Sequence, residues 1–184
     1  MRLFIGIPLP GQYQEMLGLV RKKWESIFKS KLTWTKPGNW HLTLKFLGDV
    51  EKKSLQDLER IMKDLDSWSF FLKGSGAGFF GSKGVYRVAW LGLKNDVPAL
   101  VALAGQIDQS LEGIGFEKEK RPFRGHLTLA RIRKFHRKDP WNDFAEYVGG
   151  LEWPGFEVSE VVLWQSILGR SGPRYETVVR AALS

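Results

Sequence analysis

Apolar positions recur along the chain in two periods, and the changes of period mark out its elements. Residues 2–7 form a short apolar run of strand type, and Tyr13, Met16, Leu17, Val20, Trp24, Ile27 and Phe28 then return at helical spacing across 11–28. Residues 32–34 and 40–47 alternate as strands on either side of Lys36-Pro37-Gly38-Asn39, a turn-forming tetrapeptide that predicts a hairpin or a tight connection. A second helix is expected over about 52–65, with Leu55, Leu58, Met62 and Leu65 on one side. Residues 69–73 and 85–92 read as strands flanking a glycine-rich loop, 74–84.

A third helix carries its own punctuation. Asp96 stands as N-cap, Pro98 lies in the first turn, Leu100, Leu103, Ala104, Ile107 and Leu111 form the apolar face, and Gly113 or Gly115 stops it. Asp139-Pro140 opens a short helix with Trp141, Phe144 and Val148, ended by Gly149-Gly150, and strands over 156–164 and 175–182 complete the series. Strands and helices are interspersed, and several neighbouring strands are joined too tightly for a helical crossover. This favours an α+β fold with mainly antiparallel pairing. No low-complexity linker divides the chain.

Composition narrows the class. The 184 residues, 43% of them hydrophobic, can bury a core as one domain or two small intimate halves. No run approaches the ~20 apolar residues that span a bilayer, and the start, interrupted by Pro8 and Pro10, is too short for a signal peptide. A cytoplasmic location with no membrane partner is the default expectation. The absence of cysteine removes disulfides, thiolate metal sites and thiol nucleophiles together. The net charge of +8 is concentrated: segment 118–138 holds nine basic side chains against Glu119 alone, leaving the rest of the chain neutral. Such a field attracts polyanions, which points to nucleic acid, a nucleotide or an anionic surface, although a solvated basic loop has the same composition.

The chemistry is carried by a repeat. His-Leu-Thr-Leu occurs as His41-Leu42-Thr43-Leu44 and again as His126-Leu127-Thr128-Leu129. In a strand, alternate side chains share a face, so each leucine pair anchors its strand while one histidine and one threonine face a common space. An imidazole titrates near neutrality, so one of the pair can take a proton while the other, charged, gives one to a leaving oxygen. The threonine hydroxyls can donate to non-bridging phosphate oxygens. This is acid–base machinery for phosphoester chemistry that needs no metal and no cofactor. A single strand histidine is most simply a hydrogen-bonded structural residue; repetition of the whole motif argues otherwise. A zinc site lacks further ligands at close spacing, and His136 lies in a basic stretch hostile to a cation.

Two other patterns fail on context. Gly76-Ala77-Gly78-Phe79-Phe80-Gly81 fits the dinucleotide-binding G-x-G-x-x-G, but a strand follows where the pyrophosphate needs a helix N-terminus. Lys83 follows Ser82 rather than glycine, so the P-loop pattern fails as well.

With Trp40 before and Lys45-Phe46-Leu47-Gly48 after the first motif, and Arg121-Pro122-Phe123 before and Ala130-Arg131 after the second, the sequence resembles the 2H phosphoesterase superfamily. Within it, the chain is similar to the bacterial and archaeal RNA 2′,3′-cyclic phosphodiesterases, also called 2′-5′ RNA ligases. The opening 1–5 and the later Ser166, Leu168, Gly169 and Tyr175 extend the likeness nearly end to end.

The resemblance implies a single bilobal domain over 1–184, with two mainly antiparallel sheets, outer helices and pseudo-two-fold symmetry about a central cleft. It also implies hydrolysis of a terminal 2′,3′-cyclic phosphate on RNA, such as a tRNA fragment, to a 2′-phosphomonoester. His41 would protonate the leaving 3′ oxygen, His126 would activate water, and Thr43 and Thr128 would hold the phosphate. The chain departs from many relatives at Gly125, where they carry proline.

Lys45 shares the His41 face if its strand stays regular, whereas Arg131 faces away from His126 unless a bulge intervenes. Arg124 is a candidate contact to the phosphate backbone, and Phe123 a candidate to stack a terminal base. Two rival functions share these residues: 2′-5′ ligation, the reverse reaction at the same site, and non-catalytic RNA binding through the basic segment. A monomer is the expected state.

Overall fold

In the computed structural model, which describes residues 1–169 and 172–184, nine strands and four α-helices follow the apolar pattern closely. In chain order they are β1 (Arg2–Pro8), α1 (Gly11–Trp24), β2 (Lys31–Trp34), β3 (His41–Asp49), α2 (Leu55–Lys63), β4 (Phe70–Ser82), β5 (Val85–Asn95), α3 (Val97–Glu112), β6 (Leu127–Lys134), α4 (Trp141–Gly150), β7 (Gly155–Val158), β8 (Glu160–Gly169) and β9 (Gly172–Ala182). The α+β class and the antiparallel pairing are as expected. No helix among the described residues is long and apolar enough to cross a membrane.

The strands run in the order β7-β4-β5-β6-β3-β1-β8-β9, with β2 alongside β6. The two expected sheets are thus two halves joined at β6 and β3. The join is a single residue pair, Leu42 with Leu127, the leucine at the centre of each motif. Because that pairing is antiparallel, His41 lies across from Thr128 and Thr43 across from His126, and the two histidines are diagonal neighbours. In a regular ladder such diagonals are about 7–8 Å apart, room enough for a phosphoryl group between them.

The helices cover the halves crosswise. Helix α1 follows β1 of the β3-β1-β8-β9 half, yet it packs on the other one. The Tyr13 hydroxyl donates to the Pro154 carbonyl at 2.7 Å and accepts from Gly74 N–H of β4 at 2.7 Å, and the Trp24 ring meets Phe144 of α4 edge-on at 5.2 Å. Helix α3 follows β5 and packs against β3 and α2. Apolar residues of both halves merge into one cluster that includes Ile5, Tyr13, Leu42, Leu72, Leu91, Ile107, Leu127 and Leu163.

Three local expectations are narrowed or changed, each for a physical reason. Of the hairpin and the tight connection, the second forms: β2 pairs with β6 rather than β3, and the Lys36–Asn39 turn, closed by Asn39 N–H to the Lys36 carbonyl, bridges the halves. Thr35 N–H and Oγ1 donate to the Leu129 and Thr128 carbonyls, and Asn39 Nδ2 donates to the Pro173 carbonyl. The glycine-rich 74–84 is mostly paired strand rather than loop. A Cβ on Gly78 would lie 2.6 Å from Trp90 Cζ2, so glycine there makes room for an indole. The strand expected over 156–164 breaks at Ser159, where the chain passes from a pair with β4 to a pair with β1.

Candidate active site

Each motif strand carries the same irregularity at the same place. In β3 the register with β1 skips Leu44, and in β6 the register with β5 skips Leu129, each three residues beyond its histidine. A bulge turns the residues after it onto the opposite face from the one that alternation predicts. Leu44 and Lys45 are consecutive buried residues, as are Leu129 and Ala130. The fifth residue after each histidine therefore returns to the histidine face: Phe46 in the first motif and Arg131 in the second.

This reverses the expectation for two basic residues. Arg131 joins the His126 and Thr128 face through the bulge. Lys45, expected beside His41, points to the helix side, where it is 9% exposed and its Nζ donates to Asp108 Oδ1 of α3 at 2.5 Å and to the Glu117 carbonyl at 2.8 Å. Burial raises the Asp108 pKa, but the Lys45 hydrogen bond and charge bring it below the ordinary carboxylate value. Lys45 is thus a fastener between the first motif strand and α3, not a contact for substrate. Lys45→Met should destabilise the protein by about 3 kcal/mol, because it strands a largely buried carboxylate. Urea unfolding would measure this, and the double replacement Lys45→Met/Asp108→Leu should recover most of the stability.

The imidazoles are oriented identically. His41 Nδ1 donates to the Asn39 carbonyl at 2.8 Å and His126 Nδ1 donates to the Arg124 carbonyl at 2.8 Å, each two residues upstream. A carbonyl can only accept, so both rings carry their proton on Nδ1 and leave the Nε2 lone pair for chemistry. Burial pushes the His41 pKa down to about 4, with the Arg131 and His126 charges acting in the same direction against the Asn39 bond. Burial also lowers His126, helped by Arg131 and opposed by the Arg124 bond. In the free protein at neutral pH both rings are therefore uncharged bases.

The depressed His41 pKa makes folding stability depend on pH. Between pH 6.5 and about 4 the unfolded chain binds a proton at residue 41 that the folded one does not, so stability falls as pH drops through that window. The full effect is about 3 kcal/mol. The gap in unfolding free energy between pH 7 and pH 4 should shrink by that amount in His41→Gln; an unchanged gap would contradict the buried neutral ring.

Aromatic rings to which the sequence assigned no role in the site wall it, although Phe4 and Tyr175 lie in the stretches that carry the family likeness. His41 lies against Phe4 (4.7 Å between centroids), Trp164 (5.6 Å) and Tyr175 (5.2 Å, edge-on). His126 lies against Phe80 (4.8 Å, edge-on), which packs on Trp90. Each half thus supplies one phenylalanine and one tryptophan from the two strands next outward, Trp164 lying against His41 itself and Trp90 backing the Phe80 that meets His126. The glycine at 78 was the available signal for the second wall. Thr43 and Thr128 flank the pair, and among the described residues neither hydroxyl makes a hydrogen bond.

The remaining candidates divide. Phe123 is half-buried and packs against the core near Gly125. Arg124 is exposed, and its carbonyl is the group that the site uses. A side chain at Gly125 would lie 2.6 Å from Leu100 Cδ2, so the chain entering the second motif strand runs close to α3.

The likeness of this arrangement to known proteins is specific. A family model described as LigT-like phosphoesterase matches twice, over residues 7–90 and 91–175, one copy for each motif. An RNA 2′,3′-cyclic phosphodiesterase of Methanocaldococcus jannaschii is 31% identical over 179 residues, covering 97% of this chain and 98% of its own. The structure of Escherichia coli LigT complexed with 3′-AMP superposes with a TM-score of 0.82 at 29% identity, covering 100% of this chain and 98% of its own. TT0787 of Thermus thermophilus superposes with a TM-score of 0.84 at 25% identity, with the same coverage. Two matched half-chains, each contributing one motif to one cleft, place this protein in the LigT-like phosphoesterase family.

Proposed function

We propose that the protein hydrolyses the 2′,3′-cyclic phosphate at an RNA end to a 2′-phosphomonoester by paired imidazole acid–base catalysis, without a metal or cofactor. The observation that carries this reading is the matched pair of imidazoles, each presenting Nε2 beside the other motif's threonine with Arg131 close by. The relatives named as RNA 2′,3′-cyclic phosphodiesterases support the substrate class.

In the reaction, His126 Nε2 takes a proton from water as the water oxygen bonds to phosphorus. The bond from phosphorus to O3′ breaks, and His41 gives its Nε2 proton to that oxygen. Burial leaves His41 a weak base, which makes it the readier donor once charged. The negative charge of the bound cyclic phosphate supplies the stabilisation that the protein alone lacks for that proton. The Thr43 and Thr128 hydroxyls and the Arg131 guanidinium hold the non-bridging oxygens as charge grows on them.

Because kcat/KM reports the free protein, and both histidine pKa values lie below 6.5, kcat/KM should peak on the acid side of neutrality. It should then fall about tenfold per pH unit above the upper of the two values. A plateau out to pH 8 would contradict the assignment.

The direct test is to incubate a short RNA ending in a 2′,3′-cyclic phosphate with the protein in EDTA and compare the product with 2′- and 3′-phosphate standards. A 2′-phosphate is expected. A 3′-phosphate, or efficient joining of dilute RNA ends, would overturn the reading.

A further inference from the structure

The basic segment splits into two parts with different surroundings. Lys118 and Lys120, at its start, are ion-paired on the surface with Glu112 and Glu117. Among the described residues, no carboxylate lies within 4 Å of Arg131, Arg133 or Lys134 on β6, or of Lys31 on β2.

The placement of these four cations is directional. Beyond the bulge, Arg131 and Arg133 continue the face of Thr128, and same-face residues on a strand stand about 6.6 Å apart, close to the reach of one nucleotide in an extended chain. Arg133 Nε donates to Thr33 Oγ1 of β2 at 3.3 Å, which fixes the guanidinium over the strand pair. Lys31 lies directly across from Lys134, and Arg133 is the bulged residue of β6 between that pair and the Leu32–Ile132 pair. Like charges directly opposite on neighbouring strands destabilise a sheet, so this corner carries a repulsion that a polyanion would relieve. Lys31 also lines a groove of about 480 Å³ with Lys36, Trp34 and Arg21, the last paired with Glu25. Cations along a groove with an aromatic side chain in it are the usual equipment for single-stranded nucleic acid.

We propose that the β2–β6 corner, formed by Arg133, Lys134 and Lys31, holds the phosphate on the 5′ side of the terminal nucleoside, so that the preferred substrate is an RNA strand rather than a cyclic mononucleotide. The proposal rests on the phosphodiesterase reading for the position of the terminal cyclic phosphate. The strand runs from the histidines along β6, with its backbone over Arg133, and leaves toward the groove at Lys31.

The test compares the wild-type protein with Arg133→Gln/Lys134→Gln/Lys31→Gln on two substrates, adenosine 2′,3′-cyclic monophosphate and a short oligoribonucleotide ending in a 2′,3′-cyclic phosphate. The triple variant should lose about tenfold or more in kcat/KM on the oligonucleotide, mainly through KM, while its kinetics on the mononucleotide stay the same. The slope of log affinity against log salt should fall by about 0.7 for each phosphate that the variant no longer neutralises. Equal losses on both substrates, or none on the oligonucleotide, would overturn the proposal. Binding of an oligoribonucleotide with a 3′-phosphate end, followed by fluorescence anisotropy, separates the two readings. If the wild type turns over neither substrate, the phosphodiesterase reading fails, yet weaker and less salt-sensitive binding by the triple variant still supports the track. Unchanged binding sinks it.

Discussion

Replacing either motif histidine with alanine should lower kcat by about 10²–10⁴-fold while the protein stays folded, the range expected when a positioned general acid or base is removed. His41 and His126 each make one polar contact through Nδ1, to a carbonyl that solvent can serve in the variant, and neither ring bridges the halves. His41→Ala also removes the residue whose burial in neutral form weakens the protein in acid. The two losses should not add, because a base without its acid, or an acid without its base, leaves the same step uncompleted. The roles separate by leaving group. An aryl phosphodiester, whose leaving oxygen needs no proton, should recover activity in His41→Ala but not in His126→Ala. Retention of kcat within tenfold in both variants would remove the imidazole pair from the mechanism.

Arg131→Gln should cost about 10²–10³ in kcat, comparable to the loss of one donor to a developing oxyanion. The same substitution carries a second signature that a structural role would not produce. The Arg131 charge lowers the pKa of His41 and of His126. Its removal should let both rise, and the fall in kcat/KM should move to higher pH. Arg131→Lys keeps the charge but loses the planar fork, so it should hold the pH profile in place and recover only part of the rate. A drop in rate with an unmoved profile in Arg131→Gln would place the guanidinium outside the site.

Arg131 also shows where the sequence is legible and where it is not. Helices α1 and α3 follow from apolar spacing, and Asp96, Pro98 and Gly113 mark the limits of α3, although the Asp96 carboxylate caps no helix N–H and instead accepts from Phe71 N–H of β4. The four motif residues follow from repetition. The bulges do not follow from simple alternation, because one skipped residue exchanges the faces of everything after it. Lys45 and Arg131 consequently trade roles. The trace was present as consecutive apolar residues, Leu129 and Ala130, in a strand that otherwise alternates. The partner of β2 and the break at Ser159 are set by pairings more than ninety residues or a whole half-sheet away, which local patterns do not carry. Glycine was misleading in another way: at 78 its smallness seats an indole, whereas its frequency suggested a loop.

The crosswise covering by α1 and α3 bears on how the chain reaches this state. As the protein is synthesised, β1 and α1 emerge long before β7, whose Phe156 packs edge-on against Tyr13 of α1. Until then the apolar side of α1 is only partly covered, and the β3 half waits likewise for α3. Assembly is therefore a late, concerted event dominated by contacts distant in sequence, which slows folding and prolongs exposure of sticky intermediates. A fragment carrying one motif alone would lack its lid of helix and should aggregate rather than fold. The same interlock makes each half depend on a helix that the other half's strands introduce.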